Sequence, residues 1–218
     1  MTTNTNLSGI DVSHYQGKVD WSAVKSNAIG FAFAKATQGT TVVDAQFSTN
    51  WVNMKTVGLL RGAYHFFDSS SDPLAQATNF LNVVGNLDAT DLPPVLDIES
   101  YSGAYGSDDL PTNVQTWLDV VQQALGRTPM IYTGKSFWNK YMNDQFGGYP
   151  LWIAEYGVTQ PILPNGWSAW TFWQSSQTGT VAGVTGHVDL NSYAGNQDSL
   201  LAFLQVPSPI TESDGTTA

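Results

Sequence analysis

Two carboxylates, Asp97 and Glu99, stand two residues apart at the end of the apolar run L-P-P-V-L-D-I-E at 92–99. Alternate residues of a β-strand point to the same side, and at roughly 3.3 Å per residue these two positions lie about 6.6 Å apart. Like charges at that separation disfavour joint ionisation, so we expect the pKa of one carboxyl to be raised. A protonated carboxyl beside an ionised one can divide the work of glycoside hydrolysis.

The same pair has a plainer interpretation as a solvated strand end, although the preceding apolar P-P-V-L makes a functional role as plausible as a structural one. Asp11, after another apolar run, could equally cap a turn, and Lys35 could simply pair with a nearby carboxylate. The three histidines show no metal-ligand spacing, so we expect structural roles for them and neither a metal nor a cofactor.

The composition is that of a lightly charged globular chain of 218 residues, with 42% hydrophobic and 12% charged residues. Its 8 basic and 18 acidic residues give a formal net charge of −10. An acidic chain without a basic run is a poor candidate for binding nucleic acid or an anionic membrane. There is no cysteine, so disulfides and thiolate zinc sites are excluded.

Eight apolar or β-branched runs predict eight strands, most of them read as buried and parallel. They lie at 9–13, 30–37, 60–67, 93–99, 128–134, 150–156, 168–176 and 187–194. Helical periodicity lies at 45–58, 72–85, 112–126, 136–146 and 196–205, the third with Thr112 and Gln115 in capping-box spacing. The segments between the last three strands are rich in Gly, Pro and Thr and are predicted to be loops.

This alternation predicts an α/β fold, an irregular (β/α) barrel with eight strands and fewer than eight helices. In such a barrel the active site lies at the carboxyl ends of the strands. The polar and aromatic residues predicted there are Asp11, Ser13, His14, Lys35, Thr37, Tyr64, His65, Asp97, Glu99, Tyr132, Trp152, Glu155, Tyr156, Trp173, Gln174, Asp189 and Asn191. Aromatic rings beside acids suit the apolar faces of sugar rings.

These residues also carry a family resemblance. The motifs G-I-D-V-S-H-Y-Q-G at 9–17, R-G-A-Y-H-F-F at 61–67, V-L-D-I-E at 95–99, L-W-I-A-E-Y at 151–156 and V-D-L-N at 188–191 occur in order. With shorter matches at 33–39, 131–133 and 173–174, they make the chain resemble the glycoside hydrolase family 25 lysozymes, the Chalaropsis-type N-acetylmuramidases, over about residues 9 to 205.

The resemblance implies cleavage of the β-1,4 bond between N-acetylmuramic acid and N-acetylglucosamine in the glycan strands of peptidoglycan. It implies that Glu99 is the proton donor and that Asp97 orients the 2-acetamido group, whether this group or an enzyme carboxylate attacks the anomeric carbon. It places Asp11 and Asp189 as acids that tune this pair. It implies that Tyr64, Tyr132, Trp152, Gln174 and Lys35 line the saccharide groove.

The ends of the chain suggest a phage endolysin. The start lacks a signal-peptide pattern, and the tail P-S-P-I-T-E-S-D-G-T-T-A at 207–218 has the composition of a linker. We expect a catalytic domain at 1–206, a linker or disordered tail at 207–218, and a separate C-terminal module that binds the wall. An endolysin would accumulate in the host cytoplasm and reach the wall through a holin; otherwise we expect a secreted enzyme. A monomer is expected.

Two rival functions stay open at this point. A sugar-binding module on a decayed barrel would not need an acid pair at a strand end. A chitinase or another β-glycosidase could share the barrel. Resemblance to chitinases, however, would imply a longer D-x-x-D-x-D-x-E motif, which the segment 92–99 does not supply.

Overall fold

The computed structural model describes residues 6–205, which form a closed, mixed β-barrel surrounded by helices. The boundary predicted at residue 206, and the tail beyond it, lie outside the described residues. The strands are β1 (Leu7–Val12), β2 (Phe31–Gln38), β3 (Val42–Val43), β4 (Leu60–Phe66), β5 (Val95–Asp97), β6 (Met130–Gly134), β7 (Leu151–Ala154), β8 (Phe172–Gly179) and β9 (Val188–Tyr193). Their order is β1-β9-β8-β7-β6-β5-β4-β2, and pairing of β1 with β2 closes the barrel.

All eight predicted strands are present, with two differences. The short β3 pairs antiparallel with β2 outside the barrel. The last strand, β9, runs antiparallel to both of its neighbours, β1 and β8, so the expectation of a parallel strand is wrong there. The beginning of β9, rather than its end, therefore lies at the rim reached by the carboxyl ends of the other strands.

Six helices lie among the described residues: α1 (Trp21–Ser26), α2 (Phe47–Thr56), α3 (Pro73–Val84), α4 (Leu110–Leu125), α5 (Lys135–Tyr141) and α6 (Gln197–Leu204). Helix α4 begins two residues earlier than predicted, because the Asp109 side chain accepts a hydrogen bond from the Thr112 backbone N–H at 2.9 Å and caps it. The predicted capping box at Thr112 is therefore wrong. The segments 155–171 and 180–187 contain no helix, as predicted.

The alternation of side chains along the strands produces two cores. The outward residues, such as Leu96 and Ile98, pack beneath the helices, while the inward residues fill the barrel with aromatic rings. Phe33 stacks on Trp152 with ring centroids 4.4 Å apart. A Cβ at the inward-facing Gly62 would lie 2.3 Å from the Phe33 ring. Glycine at this position therefore makes room for the aromatic layer that forms the floor of the site.

No helix in the described part of the chain has the length and apolar character needed to cross a membrane.

Candidate active site

The alternation of inward and outward residues explains the acid pair at the end of β5. Leu96 and Ile98 point outward and are fully buried, so Asp97 points to the interior side and is only 7% exposed. Glu99 follows the end of the strand and is exposed at the mouth of the barrel. Both acids line one pocket of about 250 Å³. The sequence therefore places one carboxyl deep in this pocket and the other at its entrance.

All nine residues predicted for the site line this same pocket: Asp11, Lys35, Tyr64, Asp97, Glu99, Tyr132, Trp152, Gln174 and Asp189. Every strand of the barrel contributes one of these residues. Asp11, Tyr64 and Asp97 lie at or near the carboxyl ends of β1, β4 and β5, while Trp152, Gln174 and Asp189 lie nearer the beginnings of β7, β8 and β9. The structure thus brings the predicted residues together, while their individual roles stay predictions.

Six residues from the rim prediction do not line the pocket: His14, Thr37, His65, Glu155, Trp173 and Asn191. The Trp173 indole donates to the Glu155 carbonyl at 2.8 Å. His65, beside Tyr64, faces outward, stacks on Trp117 and is fully buried. Burial lowers the pKa of His65 to about 4, so it is a neutral structural histidine, as expected.

A hydrogen-bonded network fixes the carboxyl of Asp11. The Trp152 indole can only donate, and it donates to Asn191 Oδ1 at 2.8 Å, so the Asn191 amide nitrogen faces Asp11 Oδ2 and donates at 2.7 Å. Gln174 Nε2 donates to the same oxygen at 2.8 Å, while its own Oε1 accepts from the Tyr132 hydroxyl at 2.8 Å. Two oriented amides therefore converge on one oxygen of Asp11.

Asp11 and Asp189 form one coupled acid pair. The two residues are directly opposite each other on β1 and β9. Burial, and then the like charge of Asp189, raise the pKa of Asp11 well above its usual value, although the two amides oppose this. Burial also raises the pKa of Asp189, while a hydrogen bond from Asp11 lowers it. The two carboxyls therefore titrate as one coupled pair, in which ionisation of both at once is disfavoured.

Asp97 and Glu99 form the second coupled pair. Burial, and then the charges of Glu99 and Asp11, raise the pKa of Asp97 well above its usual value. The pocket walls partly desolvate Glu99 despite its exposure, and this effect, followed by the charge of Asp189, raises its pKa too. Lys35 lowers both pKa values. The carboxyls of the pocket therefore keep their protons at pH values above those at which Asp and Glu usually ionise.

Lys35 is the basic residue of this pocket lining and is itself largely buried. Its Nζ donates to Gln38 Oε1 at 2.6 Å and lies 4.8 Å from the centre of the Phe66 ring. Burial lowers its pKa, while Asp97, Asp44 and Glu99 oppose that shift. Its ammonium group is therefore held in place between the acids and an aromatic ring.

Several pocket residues were not among the nine assigned site residues. Ser13 and Tyr156 were in the rim prediction without a site role, while Val12, Tyr15, Gln16, Phe66 and Gln177 were not predicted there. Tyr156 donates to Gln174 Oε1 at 2.5 Å, and burial raises its pKa to about 12. Tyr156 is the last residue of the motif L-W-I-A-E-Y at 151–156, and that was the available signal. Tyr15 and Gln16 follow the first strand, where the turn geometry is not readable from periodicity.

Comparison with known proteins shows the family of the chain that forms this pocket. The model of glycosyl hydrolases family 25 matches residues 10–184. Lysozyme M1 of Streptomyces globisporus is 43% identical over 210 residues, covering 91% of this chain and 71% of the relative. The N,O-diacetylmuramidase of Chalaropsis sp is 28% identical, covering 84% of this chain and 96% of the relative. The crystal structure of the bacterial lysozyme from Streptomyces coelicolor superposes with a TM-score of 0.86 at 40% identity, covering 92% of this chain and 97% of that one.

Proposed function

The chain belongs to glycosyl hydrolases family 25, and on this premise we propose that it cleaves the β-1,4 bond between N-acetylmuramic acid and N-acetylglucosamine, with Glu99 as general acid and Asp97 assisting. More broadly, the protein is a glycoside hydrolase of the same class as its family relatives, a muramidase that hydrolyses peptidoglycan. The observation that carries the assignment of roles is the pair of carboxyls at the end of β5, one deep and one at the mouth of the same pocket.

Glu99 is the proton donor because of its position and its pKa. It lies at the mouth, where a leaving-group oxygen of a long glycan strand has access, and partial desolvation raises its pKa. A general acid must hold its proton near the working pH, and a raised carboxyl pKa serves that need. The leaving group needs this proton whether the anomeric carbon is attacked by the substrate's own acetamido oxygen or by an enzyme carboxylate.

Asp97 is suited to orient the 2-acetamido group. Its Oδ1 is buried, and no donor among residues 6–205 forms a hydrogen bond with it. An acetamido N–H would supply that donor. A hydrogen bond donated to a carboxylate stabilises its ionised form. Substrate binding therefore favours ionised Asp97 and leaves the proton of the pair on Glu99.

Asp11, Asp189 and Lys35 act on the pKa values of Asp97 and Glu99. Asp11, held by its two amides, adds negative potential that raises the pKa of Asp97, and Asp189 does the same for Glu99. Lys35 limits both shifts. We infer that Asp11 and Asp189 tune the catalytic pair and that Tyr64, Tyr132, Trp152 and Gln174 form the wall against which the sugar packs.

The test compares wild type with Glu99→Gln and Asp97→Asn on Gram-positive cell walls and on chitin. We expect wild type to clear the walls and both variants to lose activity, the first by about 10²–10⁴ in rate. Release of chitobiose from chitin would favour a chitinase. Binding to walls without clearance would favour the sugar-binding module. A Glu99→Gln variant with half the wild-type rate would remove Glu99 from the proposed role.

We propose further that the enzyme is a monomer whose partner is the glycan strand of the wall. The net charge of −10 gives little intrinsic attraction to an anionic wall, which supports the expectation of a separate binding module. Origin from a phage endolysin, and passage to the wall through a holin rather than by secretion, stay predictions.

A further inference from the structure

The turn that follows β1 presents an exposed tyrosine at the edge of the active-site pocket. Tyr15 is 82% exposed, the highest exposure among the large hydrophobic residues of the described chain, and it lines the pocket together with Asp97 and Glu99. A single exposed aromatic residue is ordinary on a protein surface. What distinguishes Tyr15 is the rigidity of the turn that carries it, residues 13–17, here termed the Tyr15 turn.

Hydrogen bonds within the Tyr15 turn close it on itself. The Ser13 hydroxyl accepts from the Tyr15 backbone N–H at 3.3 Å, and the Ser13 backbone N–H donates to Gln16 Oε1 at 2.9 Å. This reciprocal capping box stabilises the short 3₁₀ segment His14–Gln16. Gly17 then ends it with a φ of +60°, a value that favours glycine. The backbone of Tyr15 is thus fixed from both sides.

Two further contacts tie the Tyr15 turn to neighbouring loops. The buried Asp44 accepts from the His14 backbone N–H at 3.0 Å, and its same oxygen lies 2.7 Å from His14 Nδ1. On the other side, Gln16 Nε2 donates to the carbonyl of His187 at 3.3 Å, just before β9. The turn is therefore anchored both to the segment after β3 and to the segment before β9.

The ring of Tyr15 is supported from beneath. It packs against the His14 imidazole, with centroids 4.1 Å apart and planes inclined by 36°. Because Asp44 holds that imidazole, the phenol ring has a fixed neighbour on one side and solvent on the other. Such preorganisation reduces the conformational entropy lost when a ligand packs on the free side.

We propose that Tyr15 is a saccharide-binding platform that packs against the apolar C–H face of a pyranose ring in the glycan strand, at the edge of the pocket and adjoining the unit held over Asp97 and Glu99. A neutral aromatic surface suits this position, because the pocket lining carries four carboxyls and one lysine. An anionic muramyl unit meets no additional negative charge at Tyr15. The inference rests on the proposed function, since it needs a glycan in the pocket.

The test separates glycan binding from bond cleavage. In a Glu99→Gln background, binding of a soluble tetrasaccharide of alternating N-acetylglucosamine and N-acetylmuramic acid is measured by calorimetry. We expect Tyr15→Ala to weaken binding about tenfold and Tyr15→Phe to leave it within about twofold, because the ring and not the hydroxyl makes the contact. Tyr105→Ala removes another exposed tyrosine, 42% exposed and outside the pocket lining, and should leave binding unchanged.

Steady-state kinetics with the active enzyme completes the test. We expect Tyr15→Ala to raise KM about tenfold with kcat within about twofold, since a ring bound beside the reacting unit contributes equally to ground and transition states. The proposal is overturned if Tyr15→Ala binds as tightly as its parent, if Tyr105→Ala loses as much, or if Tyr15→Phe behaves like Tyr15→Ala. A fully active Glu99→Gln would instead count against the catalytic assignment, and the binding data would still decide the role of Tyr15.

Discussion

Replacing Asp97 by asparagine is expected to cost activity and at the same time to stabilise the fold. Asp97 is buried, and its Oδ1 accepts no hydrogen bond from residues 6–205. Burial, and then Glu99 and Asp11, raise its pKa well above the usual value, and this net direction already includes the attraction of Lys35. The ionised carboxylate is therefore unfavourable in the folded protein, and the isosteric amide removes its charge.

The magnitude follows from the removal of a buried charge. The amide keeps a polar group at this position but is easier to desolvate than a carboxylate, so we expect the free energy of unfolding to rise by about 1–3 kcal/mol at pH 8, the scale of desolvation penalties in folded proteins. A carboxyl with a raised folded-state pKa binds more protons in the folded than in the unfolded state, so its contribution to stability is lost as pH rises. The gain in Asp97→Asn should therefore be small near pH 4, close to the ordinary Asp value of 3.8, and should grow with pH.

The assay is urea-induced unfolding of wild type and Asp97→Asn, followed by tryptophan fluorescence at pH 4, 6 and 8, with wall-clearing rates on the same samples. Asp109→Ala provides a control of opposite sign. The hydrogen bond from the Thr112 N–H lowers the pKa of Asp109, so this variant should lose stability at pH 8 and lose less at acid pH. A destabilised Asp97→Asn at pH 8, or a gain independent of pH, would refute the reasoning.

Two further predictions test the electrostatics and the floor of the site. Lys35→Met should raise the pKa values of Asp97 and Glu99 further, because Lys35 lowers both, and both limbs of the profile of kcat/KM against pH should move to higher pH; an unchanged profile would contradict this. Gly62→Ala should destabilise the fold by about 1–3 kcal/mol in urea unfolding, because its Cβ would lie 2.3 Å from the packed Phe33 ring; wild-type stability would show that the barrel interior can adapt.

The barrel and much of its polar rim could be predicted because strands such as β1 and β5 are apolar runs with polar residues at or just after their ends. The strict alternation at 95–99 was sufficient to put Asp97 and Glu99 on one side, as the buried Leu96 and Ile98 confirm. The direction of β9 is not encoded in periodicity. Its connection to β8, residues 180–187, is too short for the crossover that parallel strands need, and that length was the overlooked signal.

The cap of α4 falls on Asp109 rather than Thr112, because Pro111 fits the first turn and extends the helix backward; this local signal was overlooked. Other features depend on tertiary contacts that the local sequence does not reveal. The orientation of the amides on Asp11 depends on Trp152, which is 39 residues away from Asn191 in sequence. The Tyr15 turn depends on anchors at Asp44 and His187, so its rigidity becomes visible only in the folded barrel.

The central claim is that Glu99 donates the proton that breaks the bond on the reducing side of N-acetylmuramic acid. The most direct measurement is digestion of purified Gram-positive peptidoglycan by wild type and by Glu99→Gln, followed by borohydride reduction and mass spectrometry of the fragments. We predict new muramitol ends with wild type that fall by about 10²–10⁴ in rate of formation with Glu99→Gln. Reduced glucosamine ends, or muramitol formed by the variant at half the wild-type rate, would contradict the account.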